Sequence, residues 1–225
     1  MGPMPANIKI SEIFYSIQGE SSYAGLPCIF IRLSGCNLRC NYCDAAYTWE
    51  EGDPWSIDSI LAKVNSYPCD LVEVTGGEPL LQKNCPELLA GLSTQGKKTL
   101  LETNGSIAIN AIPDETIAIL DVKCPDSGSK DSFHPDNLLL IRNRLAATPG
   151  SAELKFVLST QDDYIWAKNF ISQHQLVGLL PILFSPVQPG VTAQDLADWI
   201  LKDGLDVRLQ IQLHTILWPT ISRGV

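Results

Sequence analysis

The chain has 225 residues, 45% of them hydrophobic and 18% charged, which is enough to bury one large core and too apolar for disorder. A net charge of −9, with 16 Lys and Arg scattered along the chain, excludes the clustered basic face that polyanion binding needs. No apolar run approaches the ~20 residues that span a bilayer, and the opening MGPMPANIKISEIF lacks the basic flank and apolar core of a signal peptide. A cytoplasmic protein is expected, with neither nucleic acid nor membrane as a partner.

In chain order, Ile8–Gln18 reaches the first apolar strand through Gly19 and Gly25, which predicts a hairpin at one edge of a sheet. Strands are predicted over Cys28–Leu33, Leu71–Thr75, Thr99–Glu102, Ile117–Val122, Glu153–Leu158, Leu179–Phe184 and Val207–Leu213. Helices are predicted between them over Ile57–Asn65, Pro86–Gln95, Pro135–Leu145, Asp162–His174 and Ala193–Lys202. The stretch from Ser106 to Glu115 is too short for a helix. There is no internal repeat, low-complexity segment or dividing linker, so residues 1–225 are expected to form a single domain. Alternating strands and helices imply a parallel sheet with helices outside. Six or seven such units are too few for an eight-unit barrel, so the expected fold is an α/β partial, open barrel of six to seven parallel strands with an N-terminal hairpin.

Six predicted strands end in polar or unusual segments. They are Ser34-Gly35-Cys36, Thr75-Gly76-Gly77-Glu78-Pro79, Glu102-Thr103-Asn104-Gly105, Asp121-Val122-Lys123, Ser185-Pro186-Val187 and the region of His214. In parallel α/β folds these C-terminal strand ends share one face, where ligands bind.

Three of the seven cysteines, Cys36, Cys40 and Cys43, form a C-x3-C-x2-C run. An odd cysteine total without an export signal argues against a disulfide framework. The spacing lets one loop wrap a metal centre. A structural zinc or an electron-carrying cubane uses four protein ligands, and three leave a position open for chemistry. Zinc with a distant fourth ligand, such as Cys28 or a histidine, and a plain electron carrier remain as alternatives. Cys28, Cys69, Cys85 and Cys124 read as packed thiols, and Met1, Met4, His134 and His174 are given no role.

With this run and the Gly76-Gly77-Glu78-Pro79 segment, the sequence resembles the radical S-adenosylmethionine superfamily. The resemblance implies a [4Fe–4S] cluster held by Cys36, Cys40 and Cys43, with a fourth iron that chelates the methionine part of S-adenosylmethionine. One electron then cleaves the cosubstrate to a 5′-deoxyadenosyl radical. The implied cosubstrate contacts are Tyr42, Gly77, Glu78, Asn104, Asp121 and Lys123, with Glu78 a natural acceptor for the methionine ammonium. An internal ion pair is the other reading of Asp121 and Lys123. No side chain is assigned as a catalytic group beyond cluster and radical.

A finer resemblance is to the 7-carboxy-7-deazaguanine synthase family, which acts in queuosine and 7-deazapurine biosynthesis. It is carried by Ser16-Ile17-Gln18-Gly19-Glu20, by Phe30–Cys36 with Arg32 four residues before the first cysteine, by Trp49 in the D-x-x-Y-T-W pattern, and by Gln210–Pro219 as a C-terminal strand and tail. It implies a carbon–nitrogen lyase that converts 6-carboxy-5,6,7,8-tetrahydropterin to 7-carboxy-7-deazaguanine with loss of ammonia. It further implies a homodimer and an electron donor such as flavodoxin or ferredoxin. The implied substrate residues are Ile17, Gln18, Gly19, Glu20, Arg32 and Thr75, with the Arg32 fork suited to a carboxylate and a surface salt bridge as the other reading of Arg32. The resemblance also implies Mg²⁺ on a threonine hydroxyl, but that position is Ala45, whose methyl cannot ligate a hard cation. Asp44, Thr48, water or substrate oxygens are the remaining sources. A glycyl-radical activating enzyme and a non-enzymatic iron–sulfur electron-transfer module are the competing functions.

Overall fold

A computed structural model describes residues 7–50, 52–187 and 189–225; Met1 and Met4 lie outside them. In chain order the elements are β1 (Asn7–Ile17), β2 (Pro27–Leu33), β3 (Asp53–Ser56), α1 (Ile57–Val64), β4 (Leu71–Gly76), α2 (Cys85–Thr94), β5 (Lys98–Thr103) and β6 (Ile117–Asp121). They continue as α3 (Asn137–Ala147), β7 (Ala152–Leu158), α4 (Gln161–Gln173), β8 (Ile182–Pro186), α5 (Ala193–Asp203), β9 (Arg208–Leu209) and α6 (Leu213–Leu217). One open sheet of nine strands runs β3-β1-β2-β4-β5-β6-β7-β8-β9. β1 is antiparallel to β2 and β3, and the seven strands from β2 to β9 are mutually parallel, so the expected partial barrel with its hairpin is present.

The helices begin where side chains satisfy free backbone donors. The hydroxyls of Ser56, Thr160 and Thr192 accept from the N–H groups of Ser59, Asp163 and Asp195 at the starts of α1, α4 and α5. Gly204 closes α5 in the left-handed conformation at φ 58°.

Three sequence expectations are corrected. The strand predicted at Leu179–Phe184 begins only at Ile182, because Leu179 N–H turns back to the Leu176 carbonyl and Pro181 contributes no donor to the ladder. The strand predicted over Val207–Leu213 shrinks to the two residues of β9, after which the chain turns and Leu213 opens the short α6. Its alternating pattern reads as a strand, but Leu213 N–H is taken by the Gly19 carbonyl at 3.1 Å rather than by a sheet neighbour. Finally, β3 was not anticipated. Its Pro54 suits an edge, where a missing N–H costs no ladder bond.

Successive strand residues face opposite sides of the barrel wall. Val72, Val74, Leu101, Ala118, Leu120, Leu154 and Phe156 pack with the helices in the outer core. Phe14, Cys28, Phe30, Leu71, Leu100, Ile117 and Ile119 form a separate inner cluster that plugs the lumen floor, with Phe14 and Phe30 stacked at 4.9 Å. The residues two positions further along these strands are Arg32, Glu73, Glu102 and Asp121, so the lumen changes from apolar to charged at a fixed height.

Candidate active site

The cysteine loop leaves β2 at Leu33 and is closed at its base by Gly35 N–H to the Thr48 carbonyl at 2.7 Å. The β4 end locks onto it through Gly77 N–H to the Leu33 carbonyl (3.1 Å) and Glu78 N–H to the Gly35 carbonyl (2.8 Å). Only glycine fits this junction. Gly76 has φ 143° and a Cβ there would lie 2.0 Å from the Leu33 carbonyl oxygen, while a Cβ on Gly77 would lie 2.3 Å from the Gly35 oxygen.

Cys36, Cys40 and Cys43 are partly exposed, unlike Cys28, Cys85 and Cys124, which are buried. Burial pushes the Cys85 thiol up to about 12 and those of Cys28 and Cys124 further, as expected of packed, unreactive thiols. Cys36 Sγ accepts from Leu38 N–H at 3.4 Å and lies 3.8 Å from Asn104 Nδ2. Among the described residues no three His, Cys, Asp or Glu side chains converge as ligands of one ion. The grouped, partly exposed soft sulfurs on one loop fit a polynuclear iron–sulfur centre.

Around the loop, Glu78 is fully buried. Its carboxylate accepts from Leu80 N–H (2.9 Å), Asn104 N–H (2.7 Å) and the Thr103 hydroxyl (2.9 Å), so it ties the end of β5 to the turn after β4. Burial raises its pKa, and these donors oppose the shift. The carboxylate expected to meet an ammonium is thus occupied by protein donors. Asn104 bridges to the cysteine loop through Asn37 Oδ1 at 3.1 Å. Asp121 and Lys123 pair at 2.6 Å, and Lys123 Nζ lies 5.7 Å from the Tyr42 ring centroid. Asp121 Oδ1 and the Tyr42 hydroxyl are buried without a hydrogen-bond partner, which leaves one acceptor and one donor on the cluster side of the lumen for a ligand to satisfy.

On the other side lies a connected polar network. Gln18, 2% exposed, donates from Nε2 to Glu73 Oε2 and accepts from Glu20 N–H at 3.1 Å. Glu20 pairs with Lys155 Nζ at 2.9 Å, and Lys155 also pairs with Glu102, which accepts from the Thr75 hydroxyl at 3.1 Å. Burial and then the neighbouring Glu102 charge hold Glu73 well above the usual carboxylate range. Glu102 is half-buried, which raises its pKa, yet the Lys155 charge outweighs that and holds it below the usual range. Ile17 ends β1 opposite Pro27. A Cβ on Gly19 would meet His214 Nδ1 at 2.8 Å, so a larger residue there displaces the His214 side chain. Arg32 sits at the rim and donates from Nε to Glu12 Oε1 at 2.9 Å, an oxygen it shares with the Tyr47 hydroxyl at 2.7 Å. The C-terminal tail returns here, with Gly224 N–H on Glu12 Oε2 at 3.0 Å and the Arg223 guanidinium 4.3 Å from the Tyr47 ring centroid.

The structure therefore collects the cysteines with Tyr42, Gly77, Asn104, Asp121 and Lys123 on one side of the mouth, and Gln18, Glu20 and Thr75 on the other. Arg32 stands at the rim. Sequence reasoning overlooked Glu12, Glu73, Lys155 and Gln212, and it placed Glu102 at a strand end on the ligand face without giving it a role. The available signal was a charge inside a buried apolar strand, as in Ala152–Leu158 (AELKFVL) and Leu71–Gly76 (LVEVTG).

The Radical SAM superfamily model matches residues 30–121. The chain is 43% identical over 220 residues to the 7-carboxy-7-deazaguanine synthase of Chlorobaculum tepidum, covering 98% of each chain. It is also 43% identical over 233 residues to the enzyme of that name from Koribacter versatilis, covering 97% of this chain and 100% of the relative. Among solved structures, the crystal structure of QueE from Escherichia coli superposes with a TM-score of 0.72 at 23% identity, over 92% of this chain and 94% of that one, a likeness of fold. With relatives 43% identical over nearly its whole length and that family model matched across its cysteine loop, the chain is a radical S-adenosylmethionine enzyme, whose chemistry uses a [4Fe–4S] cluster and S-adenosylmethionine. Within that class, the chain belongs to the 7-carboxy-7-deazaguanine synthase family.

Proposed function

We propose that this chain converts 6-carboxy-5,6,7,8-tetrahydropterin to 7-carboxy-7-deazaguanine with release of ammonia, as a single-domain lyase of 7-deazapurine biosynthesis. The observation that carries the reading is the polarity of the lumen. Gln18, Thr75, Glu20 and Glu102 offer amide, hydroxyl and carboxylate groups matched to an aminopyrimidinone edge, and Arg32 at the rim offers a guanidinium for a carboxylate.

In this reading Cys36, Cys40 and Cys43 hold the cluster, which when reduced supplies the electron that cleaves S-adenosylmethionine. Gly77 leaves room for backbone contact with the cosubstrate's methionine, and Glu78 acts by fixing Asn104 and the turn beside it. Asp121 Oδ1 and the Tyr42 hydroxyl meet the cosubstrate's polar groups, with Lys123 neutralising Asp121. Ile17, Gln18 and Gly19 form the substrate wall over the apolar floor. The floor excludes water from the reacting face.

The decisive experiment is anaerobic reconstitution followed by incubation with reductant, S-adenosylmethionine and the carboxypterin. Product with the mass of 7-carboxy-7-deazaguanine is the expected result. Cleavage of the cosubstrate that ignores the pterin would favour a glycyl-radical activating enzyme. No cleavage at all would favour an electron-transfer module. A flavodoxin- or ferredoxin-type donor, a cytoplasmic location and a homodimer complete the reading. No helix among the described residues is long and apolar enough to cross a membrane. The exposed apolar side chains of Leu209, Ile211, Ile216 and Leu217 support self-association, which sedimentation will test.

Arg32→Lys is expected to weaken the carboxypterin more than S-adenosylmethionine, because a point charge replaces a planar fork. Arg32→Ala should cost about 2–5 kcal/mol of pterin binding. Parallel titrations of both ligands check this, and equal losses would place Arg32 outside the substrate site.

The residues present do not fit the Mg²⁺ site that the resemblance implies. Ala45 is a buried methyl, and the Thr48 hydroxyl is fully buried and donates to the Ala45 carbonyl at 2.7 Å. No step is assigned to the metal. Ala45→Thr should confer Mn²⁺ binding visible by electron paramagnetic resonance and steepen the response of turnover to Mg²⁺. Full Mg²⁺ dependence of the wild type, unchanged by Ala45→Thr, would refute this.

A further inference from the structure

β7 carries a lysine into the middle of the lumen. Lys155 is 5% exposed, and a buried ammonium persists only when it is paired. Its partners come from two distant elements: Glu20 Oε2 at 2.9 Å, from the turn after β1, and Glu102 Oε1, from β5. The second oxygen of each carboxylate accepts from a neutral donor, Gln212 Nε2 at 2.8 Å on Glu20 and the Thr75 hydroxyl at 3.1 Å on Glu102. Asp121 lies opposite Lys155 in the β6–β7 register but is engaged by Lys123 at 2.6 Å, so Lys155 is committed to the two lumen carboxylates.

Resting on the function proposed above, we infer that Lys155 is a positioning residue that fixes the Glu20 and Glu102 carboxylates in place, so that both accept hydrogen bonds from the N–H donors of an aminopyrimidinone ring. That ring edge presents an exocyclic amine and a ring N–H, both donors. An ionised carboxylate only accepts, whereas a protonated acid sets a donor against a donor. The lumen is crowded with acids that compete for protons. Glu102 is faced by Lys155 on β7, by Lys123 beyond the end of β6 and by Glu73 on β4; Lys155 is faced in turn by Glu20 and Asp121, and Glu153 shares its side of β7. Glu153 is itself taken by Ser22 N–H at 3.1 Å. Glu73, which burial and then the Glu102 charge hold well above the usual carboxylate range, receives the Gln18 amide. Lys123 is paired with Asp121 and Arg32 with Glu12, so without Lys155 the Glu102 carboxylate loses its direct cationic partner and its pKa moves up.

The sign follows. Lys155 holds the Glu102 pKa down, so its removal raises that pKa and the protonated fraction grows as pH falls. Carboxypterin binding to the anaerobically reconstituted holoenzyme is titrated from about pH 6 to about pH 9 for wild type, Lys155→Met and Lys155→Arg, with S-adenosylmethionine binding as the folded-state control. Wild type and Lys155→Arg should show nearly pH-independent binding. Lys155→Met should bind the pterin at least about tenfold more weakly near pH 7 and recover as pH rises, with S-adenosylmethionine affinity unchanged. Should Lys155→Met not fold, Lys155→Gln reads the same contrast. A loss that is the same at every pH, no loss, or an equal loss of cosubstrate affinity overturns the role of Lys155. Wild-type enzyme that binds S-adenosylmethionine but not the pterin instead overturns the proposed function, and this inference with it.

Discussion

Replacing Cys36, Cys40 or Cys43 by alanine is expected to abolish iron incorporation and all cleavage of S-adenosylmethionine, whereas alanine at Cys28, Cys69, Cys85 or Cys124 leaves iron content intact. The three loop cysteines are partly exposed on a segment whose ends are anchored by Gly35 and Thr48. A loop of this kind can present sulfur to a cluster without disturbing the barrel. With only three protein ligands, loss of any one leaves too few thiolates to retain a cubane. Cys28, Cys85 and Cys124 are buried with thiols that burial keeps protonated, so they do not substitute. Their truncation removes one sulfur from a packed core and costs stability on the order of 1–2 kcal/mol, which shows as a lower melting temperature rather than lost iron. Iron and sulfide assays on the purified variants, read beside melting curves, separate the two groups. A full cubane in Cys40→Ala would refute the ligand assignment.

How far the sequence discloses this molecule depends on whether a feature is local. The parallel strands were legible because both their faces are buried, so each is a short apolar run bounded by turn residues. Cysteine spacing and paired glycines were legible for the same reason. What escaped are partnerships between distant residues: Lys155 and Glu20 lie 135 positions apart, and Gly224 and Glu12 lie 212 apart. A charge in an apolar strand announces a polar lumen, but its partner depends on strand register and barrel curvature. Glu78 shows the converse. Its motif is plain in the sequence, yet only the fold shows that its oxygens are occupied by Thr103 and by the N–H groups of Leu80 and Asn104. The C-terminal segment misled because β9 is an edge strand with only two paired residues, where one contact from Gly19 decides between strand and turn.

Alanine at Gly76 and Gly77 should separate fold from site. Gly76→Ala places a side chain at φ 143° and 2.0 Å from the Leu33 carbonyl oxygen, in the strand pair that starts the cysteine loop. Backbone strain of about 1–3 kcal/mol and overpacking of about 1–3 kcal/mol add to an expected loss of about 2–6 kcal/mol. For a domain of this size that lowers the melting temperature by about 5–20 °C. Gly77→Ala lacks the positive φ but drives its methyl to 2.3 Å from the Gly35 oxygen and 2.8 Å from Cys36 Cβ. The cysteine loop must then shift away from β4, lengthening the Glu78 N–H contact to the Gly35 carbonyl, now 2.8 Å. Its expected signature is a modest fall in stability with a large fall in turnover, because a displacement of about 1 Å at a reacting site costs on the order of a hundredfold. Gly96→Ala is the matched control: it also has a positive φ, 77°, but a methyl there meets nothing within 4 Å. Strain alone then costs about 1–2 kcal/mol and turnover stays at the wild-type value. Melting curves, cosubstrate titration and turnover on the three variants decide the matter. Wild-type turnover in Gly77→Ala would show that the close approach of this glycine to the cysteine loop does not position the reacting groups.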